Sequence, residues 1–272
     1  MFDTSKNNYT FGRGKVYVSK LAEANGKPVD DNSPAREFRY LGNTPQFALT
    51  IESENLDHYS SDFGTREKDA SIQLQVNRTA TLTCDNIDIH NYGIFYSNSA
   101  KLVTQAGGEA IETFENITKG ATYVLGITPT NRLGVRAIEH SPDKAVVVKS
   151  GDKTLVEDFD YAINYEFGSI DVLATGLTLK DGDPLTVTYT AAAVSYYRIS
   201  TGDAAGFFEM RYEANNAAGA KQTYWFPYVK IQPTGEYTFK SDTWQQMQFK
   251  LEILKRGQLA PIYIDNEPMS VA

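Results

Sequence analysis

Carboxylates are the residues of this chain best supplied for chemistry. Glu52, Glu54, Asp57 and Asp62 fall in one short stretch, and Glu157, Asp158 and Asp160 in another. Two carboxyl groups at a suitable separation suffice to hydrolyse a glycosidic bond, and a sequence does not give that separation. Acidic stretches of this kind also arise simply as solvated loops, and nothing in the spacing lifts either cluster above that reading. The three histidines, His58, His90 and His140, are scattered, and none has a partner Cys or His at metal-ligand spacing. Gly12-Arg13-Gly14-Lys15 has the tail of a phosphate-binding loop without its first glycine or its following Ser or Thr. Asp181-Gly182-Asp183 offers too few ligands for a calcium loop and reads as a turn. Cys84 closes an alternating apolar face, where a buried structural thiol is expected rather than a nucleophile. No catalytic residue, metal or cofactor is assigned.

The elements that would carry these residues are strands. The chain has 272 residues, enough for one large or two modest domains, and its 17 Tyr and 14 Phe suit pleated, half-buried surfaces. A net charge of −8 argues against tight binding to phosphate backbones, though not against a surface that nucleic acid slides past. One cysteine excludes an intrachain disulfide. The segment MFDTSKNNYTFGRGKVYVSK lacks the apolar centre of a signal peptide, so synthesis and use in the cytoplasm, or export within an assembly, is the expectation.

The strongest pattern is ASIQLQVNRTATLTC, residues 70–84. Ile72, Leu74, Val76, Ala80, Leu82 and Cys84 fall on one face, interrupted by Arg78, and uncharged amides and hydroxyls fall on the other. Either a bulge shifts the register at Arg78, or its guanidinium pairs with a carboxylate of a neighbour. Upstream, QFALTI (46–51) alternates and should pair with this strand as a hairpin. Between them, residues 53–69 show no periodicity and read as a long, mobile tip. After Cys84, Asp85 is a candidate N-cap for a helix carrying Ile89, Tyr92, Phe95 and Tyr96. Residues 119–192 change texture to short strands, ATYVLGIT, LGVRAIE, AVVVKS, YAINYE, SIDVLA and PLTVTYT, and read as an inserted sandwich or sheet. Residues 1–118 and 193–272 then form the main domain. GFFEMRYEAN and KQTYWFPYVKI make a second hairpin, and TWQQMQFKLEILK repeats the opening pattern with a Gln-rich polar face.

The hairpin FALTIESENLDHYSSDFGTREKDASIQLQVNRTATLTCDNI, with its following helix, resembles the major tail tube protein of long-tailed bacteriophages. YWFPYVKIQPTGEYTFKSDTWQQMQFKLEILK is similar to that family too: an aromatic-Pro strand, a P-x-G turn, then a long alternating strand. The insertion resembles an immunoglobulin-like module found in some members. The similar segments cover most of the chain, and their order is more telling than any one motif.

That resemblance implies a mainly β subunit, a tail-tube-type sandwich or barrel with one short helix. Its long hairpins would form an inner barrel shared by six copies, in rings that stack into a DNA-conducting tube. Six subunits of four strands give a barrel about 48 Å across the backbone, leaving roughly 38 Å between side chains. The face with Gln73, Gln75, Asn77, Thr79, Thr81, Gln246, Gln248, Lys250 and Glu252 would line the lumen, with Glu252 of a neighbouring strand a suspected partner for Lys250. The tip with Asn55, Asp57, His58, Tyr59, Asp62, Phe63, Arg66 and Glu67 would bridge successive rings, and Arg78 would form an inter-subunit pair. Implied partners are further copies of the chain, tape measure, tail tip and tail terminator proteins, and double-stranded DNA passing without specific binding. No membrane is implied, and the implied location is a virion tail, made in the host cytoplasm. Two alternatives stand beside it. One is a secreted-type β-sandwich that binds or hydrolyses carbohydrate, with exposed loop aromatics beside paired acids. The other is the tube ring of a secretion system.

Overall fold

The computed structural model describes residues 9–24, 27–28, 35, 37–62, 64–97, 99–202 and 206–266. Phe63 and most of the loop at 26–34 lie outside the described residues. Strand accounts for 49% and helix for 4%, and every strand ladder is antiparallel, so the fold is mainly β. In chain order the strands begin β1 (Gly14–Lys20), β2 (Glu23–Ala24), β3 (Lys27–Pro28), β4 (Arg39–Tyr40), β5 (Gln46–Ser60) and β6 (Glu67–Cys84). After helix α1 (Ile89–Phe95) come β7 (Lys101–Gln105), β8 (Gly108–Phe114), β9 (Thr122–Val124), β10 (Val147–Ser150) and β11 (Lys153–Thr154). Then follow β12 (Tyr161–Asn164), β13 (Ser169–Val172), β14 (Leu185–Ala191) and β15 (Val194–Arg198). The chain ends with β16 (Gly206–Ala214), β17 (Thr223–Thr234), β18 (Met247–Ile253) and β19 (Tyr263–Asp265).

Two compact units result. The first comprises Met1–Ala100 with Ile199–Ala272. Its main sheet has the order β4-β1-β16-β17-β18-β6-β5, with β19 also on β17. Alternation builds its core: Met247, Phe249, Leu251 and Ile253 of β18 are buried beside Ala80, Leu82 and Cys84 of β6 and Val229 and Ile231 of β17. Each of the Met, Phe, Leu, Ile and Val side chains among them contributes about 1.5–3 kcal/mol by leaving water. Tyr92, Ile94 and Phe95 of α1 pack on this core. Pro227 sits within a central strand because the register slips there. Phe208 pairs with Val229 and Met210 with Phe226, so Pro227 and Tyr228 together oppose Glu209, a bulge that spares the missing N–H.

The helix starts later than the sequence pattern indicates. Asp88, not Asp85, is its N-cap, accepting from the backbone N–H groups of His90 and Asn91 at 2.8 Å. Asp85 instead accepts from Asn43 Nδ2 at 2.7 Å, and Asn86 Nδ2 donates to the Leu41 carbonyl at 3.2 Å. Those bonds hold residues 85–86 against the 41–43 segment and delay the first turn.

The second unit is Lys101–Arg198, wider than the 119–192 read from sequence. A four-stranded sheet β11-β10-β14-β8 and a three-stranded sheet β12-β13-β9 share one core, with Val148, Leu185 and Val187 from one and Ile170 and Val172 from the other. A ribbon, β15-β7, completes it. β7 and β8 escaped notice because the Gly107-Gly108 pair and scattered Glu and Thr blur their alternation. LGVRAIE, expected as a strand, is a chain of turns. Gly134 has φ +74° and Ala137 φ +57°, both left-handed, and a side chain at Gly134 would lie 2.4 Å from the Leu125 carbonyl oxygen. The 181–183 segment is a turn, as read: Asp181 accepts from Lys119 N–H and Asp183 from Lys180 N–H.

Candidate functional site

β17, β18, β6 and β5 lie side by side, and partners across an antiparallel ladder share a face. Their registers therefore align three rows on the side away from the core. One row is Lys230, Glu252, Thr79 and Thr50; the next is Gln232, Lys250, Thr81 and Ala48; the third is Thr234, Gln248, Thr83 and Gln46. Of the residues chosen from sequence, this brings together Thr79, Thr81, Gln248, Lys250 and Glu252. Asn77 and Gln75 continue the same face along the outer part of β6, opposite Glu52 and Glu54. Gln246 precedes β18 and takes no place in the register.

The sequence reading missed that Gln46, Thr50, Lys230, Gln232 and Thr234 complete this surface. Alternation within Val229–Thr234 was available as a signal, but the bulge at Pro227 hides its phase. The face is polar rather than uncharged, with Lys230 and Lys250 against Glu252, Glu52 and Glu54. Glu252 is 3.5 Å from Lys230, so its partner is Lys230 and not Lys250.

The 53–69 stretch is not a loose tip. β5 runs to Ser60 and β6 starts at Glu67, leaving only residues 61–66 between them. Asn55, Asp57, His58 and Tyr59 thus lie on β5 and Glu67 on β6, while Asp62 and Arg66 belong to the connection. Beyond Thr79, where the β18 ladder ends, β6 pairs with β5 alone. The resulting arm of about ten residue pairs extends roughly 30 Å. Periodicity was lost because both faces are exposed.

The first bulge corrects the face assignment. Glu54 pairs with Gln75 but Asn55 pairs with Gln73, leaving Leu74 as the extra residue. A one-residue slip exchanges the faces beyond it. Gln73 therefore leaves the polar face of Gln75 and joins Ser53, to whose Oγ it donates at 2.6 Å. Asp57, Ser71 and Lys68 sit on that same side, with Ser71 Oγ 2.6 Å and Lys68 Nζ 2.7 Å from Asp57. Lys68 and Ser71 hold the Asp57 carboxyl below its ordinary value, as His58 does for Asp69. Leu56 and Ile72 pass to the opposite side and stand 59% and 64% exposed.

No bulge occurs at Arg78, which pairs in unbroken register with Ile51 on the side of Ala80 and Leu82. It is half-buried and has no ion-pair partner among the described residues. β5 ends the sheet, so a 15-residue strand presents an edge with no ladder partner among the described residues. Trp244 and Phe239, on the β17–β18 connection, are 92% and 74% exposed.

Several of the groups weighed for chemistry hold local contacts. Burial pushes the Cys84 thiol up, and it donates to the Leu41 carbonyl. Glu157 accepts from the Tyr165 hydroxyl at 2.9 Å, and the buried Asp160 accepts from Val156 N–H at 3.1 Å, so both hold their turn together. That turn nevertheless displays Phe159, 75% exposed. Among the described residues no cluster of His, Cys, Asp and Glu is arranged to hold a metal, and no helix is long and apolar enough to cross a membrane.

A family model described as "Protein of unknown function UCP028589" matches residues 9–258, and the chain belongs to that family. No curated protein matches the chain.

Proposed function

We propose that this protein is a structural subunit that self-assembles into rings stacked as a bacteriophage-type tail tube, whose channel conducts DNA. The observation that carries the reading is the pairing of an open edge with a continuous polar face on the same sheet. An exposed edge as long as β5 is a template for another chain, and closure into a barrel removes it. Closure would turn the rows from Lys230–Thr50 to Thr234–Gln46 into a hydrated lining. Its few lysines are matched by glutamates, so it offers phosphates no cationic array and no strong counterion release. Arg78, with no ion-pair partner among the described residues, and the apolar residues of the arm supply surfaces for contact between copies.

Sedimentation velocity across a concentration series tests this. The expected species are rings of six chains and longer assemblies, and deletion of 55–67 is expected to leave monomers or single rings. Normal tubes from that deletion would remove the arm from the account. Exposed Phe159 beside Asp158 favours a second reading for the Lys101–Arg198 unit, carbohydrate binding at that turn. Retention on immobilised glycans that is lost in Phe159→Ala would support it, and equal retention of both proteins would not.

A further inference from the structure

We infer that the β5–β6 arm engages two different copies of the chain, one on each of its faces, and that Leu74 is the residue that divides them. The inference rests on the assembly reading and specifies its contacts. On the near half, Leu49 and Ile51 are exposed on the core-side face, in line with Arg78 and Val76. Past Leu74 this same side carries Gln73, which bonds back to Ser53, then Asp57 bonded to Ser71 and Lys68, with Tyr59 beside Lys68 near the tip, and no aliphatic side chain. The apolar pair Leu56 and Ile72 appears instead on the opposite side, beyond Glu54 and Gln75. A single flat partner covering one face would bury the near apolar residues and leave the far ones in water, or the reverse.

A two-stranded ribbon is marginal by itself in water, so both halves need cover. The near half carries Arg78, a guanidinium with no ion-pair partner among the described residues, so its partner is the copy that docks along the open edge of β5 there and offers a carboxylate. The far half stands past the last residue of β6 that β18 reaches. Its side faces the way the polar rows face, so solvent would wet Leu56 and Ile72 in any isolated ring. A copy from the next ring is the occupant that covers them.

Three variants of the full chain, each checked for an unchanged circular dichroism spectrum, separate the two contacts by electron microscopy and sedimentation. Leu49→Thr with Ile51→Thr is expected to abolish rings. Leu56→Thr with Ile72→Thr is expected to keep rings and abolish their stacking. Insertion of one residue between Glu54 and Asn55 gives Leu74 a partner, returns Leu56 and Ile72 to the near side and is expected to resemble the second variant. If wild-type protein assembles but both double variants show the same defect, or stacking survives the insertion, the division of the arm is wrong while the assembly reading stands. A wild-type chain that stays monomeric even when pre-formed rings or tail tips are supplied as seeds overturns both.

Discussion

Replacing Arg78 by leucine separates the stability of the chain from its association. The side chain is half-buried on the core-side face of β6, opposite Ile51, and no carboxylate of the described residues pairs with it. Within one chain, then, its charge has no partner to lose. Arg78→Leu places an apolar group beside Ile51, and the stability of the monomer is expected to change by no more than about 0.5 kcal/mol. Between chains the sign reverses. Truncating one member of a desolvated, hydrogen-bonded charge pair costs about 2–5 kcal/mol at a contact, because the other charge stays buried alone. At 1.4 kcal/mol per decade, even the lower figure raises the concentration needed for assembly about 30-fold. Urea denaturation at low protein concentration reads the first quantity, and light scattering against concentration reads the second. Unchanged assembly, or a monomer weakened by more than about 2 kcal/mol, would show that Arg78 serves its own chain.

Further outcomes follow from individual contacts. Asp88→Ala removes both N-cap bonds of α1 and is expected to cost about 1–2 kcal/mol in thermal unfolding, with Asp88→Asn retaining most of it. Glu112→Leu strips an acceptor from Gly126 N–H and the Tyr189 hydroxyl and is expected to destabilise the second unit by about 1–3 kcal/mol, read by hydrogen exchange in β8 and β14. Asp57 and Asp69 have carboxyl groups lowered from 3.8 by their hydrogen-bonded partners, Lys68 and Ser71 for the first and His58 for the second. A lowered folded value contributes order above the unfolded value and loses it as pH falls through the folded one. The Lys68–Asp57–Ser71 contact is therefore expected to loosen only below about pH 4, seen as loss of its cross-strand nuclear Overhauser contacts, and its loosening near pH 6 would contradict this. Gln75→Lys with Gln248→Lys adds two cations per chain to the polar face. Assemblies of that variant are expected to hold duplex DNA with a steep salt dependence, and unchanged affinity would mean that this face does not line a channel.

Legibility tracked burial. Where one face of a strand meets the core, as in Met247–Ile253 or Ala80–Cys84, period-two alternation located the strand and its polar side correctly. The same logic joined Thr79 and Thr81 to Gln248, Lys250 and Glu252 across more than 160 positions. It failed where burial imposes no pattern. The outer halves of β5 and β6 are exposed on both faces, so their ladder of backbone bonds left no hydrophobic trace. The slip at Leu74 leaves the sequence alternation unbroken while reversing the surface it describes, and only the partner strand reveals it. Asp85 had the composition of a cap but was already committed to Asn43, a contact 42 residues away. β7 and β8 are short, Gly-flanked and rich in Glu and Thr, which left the second unit starting too late.

Electron microscopy of the purified full-length protein at high concentration addresses the central claim most directly. The account expects hollow rings or tubes with sixfold symmetry and a channel of roughly 38 Å, the width left by a 24-strand barrel after its side chains. Compact monomers at every concentration, even when pre-formed rings or tail tips of such assemblies are supplied as seeds, would contradict it.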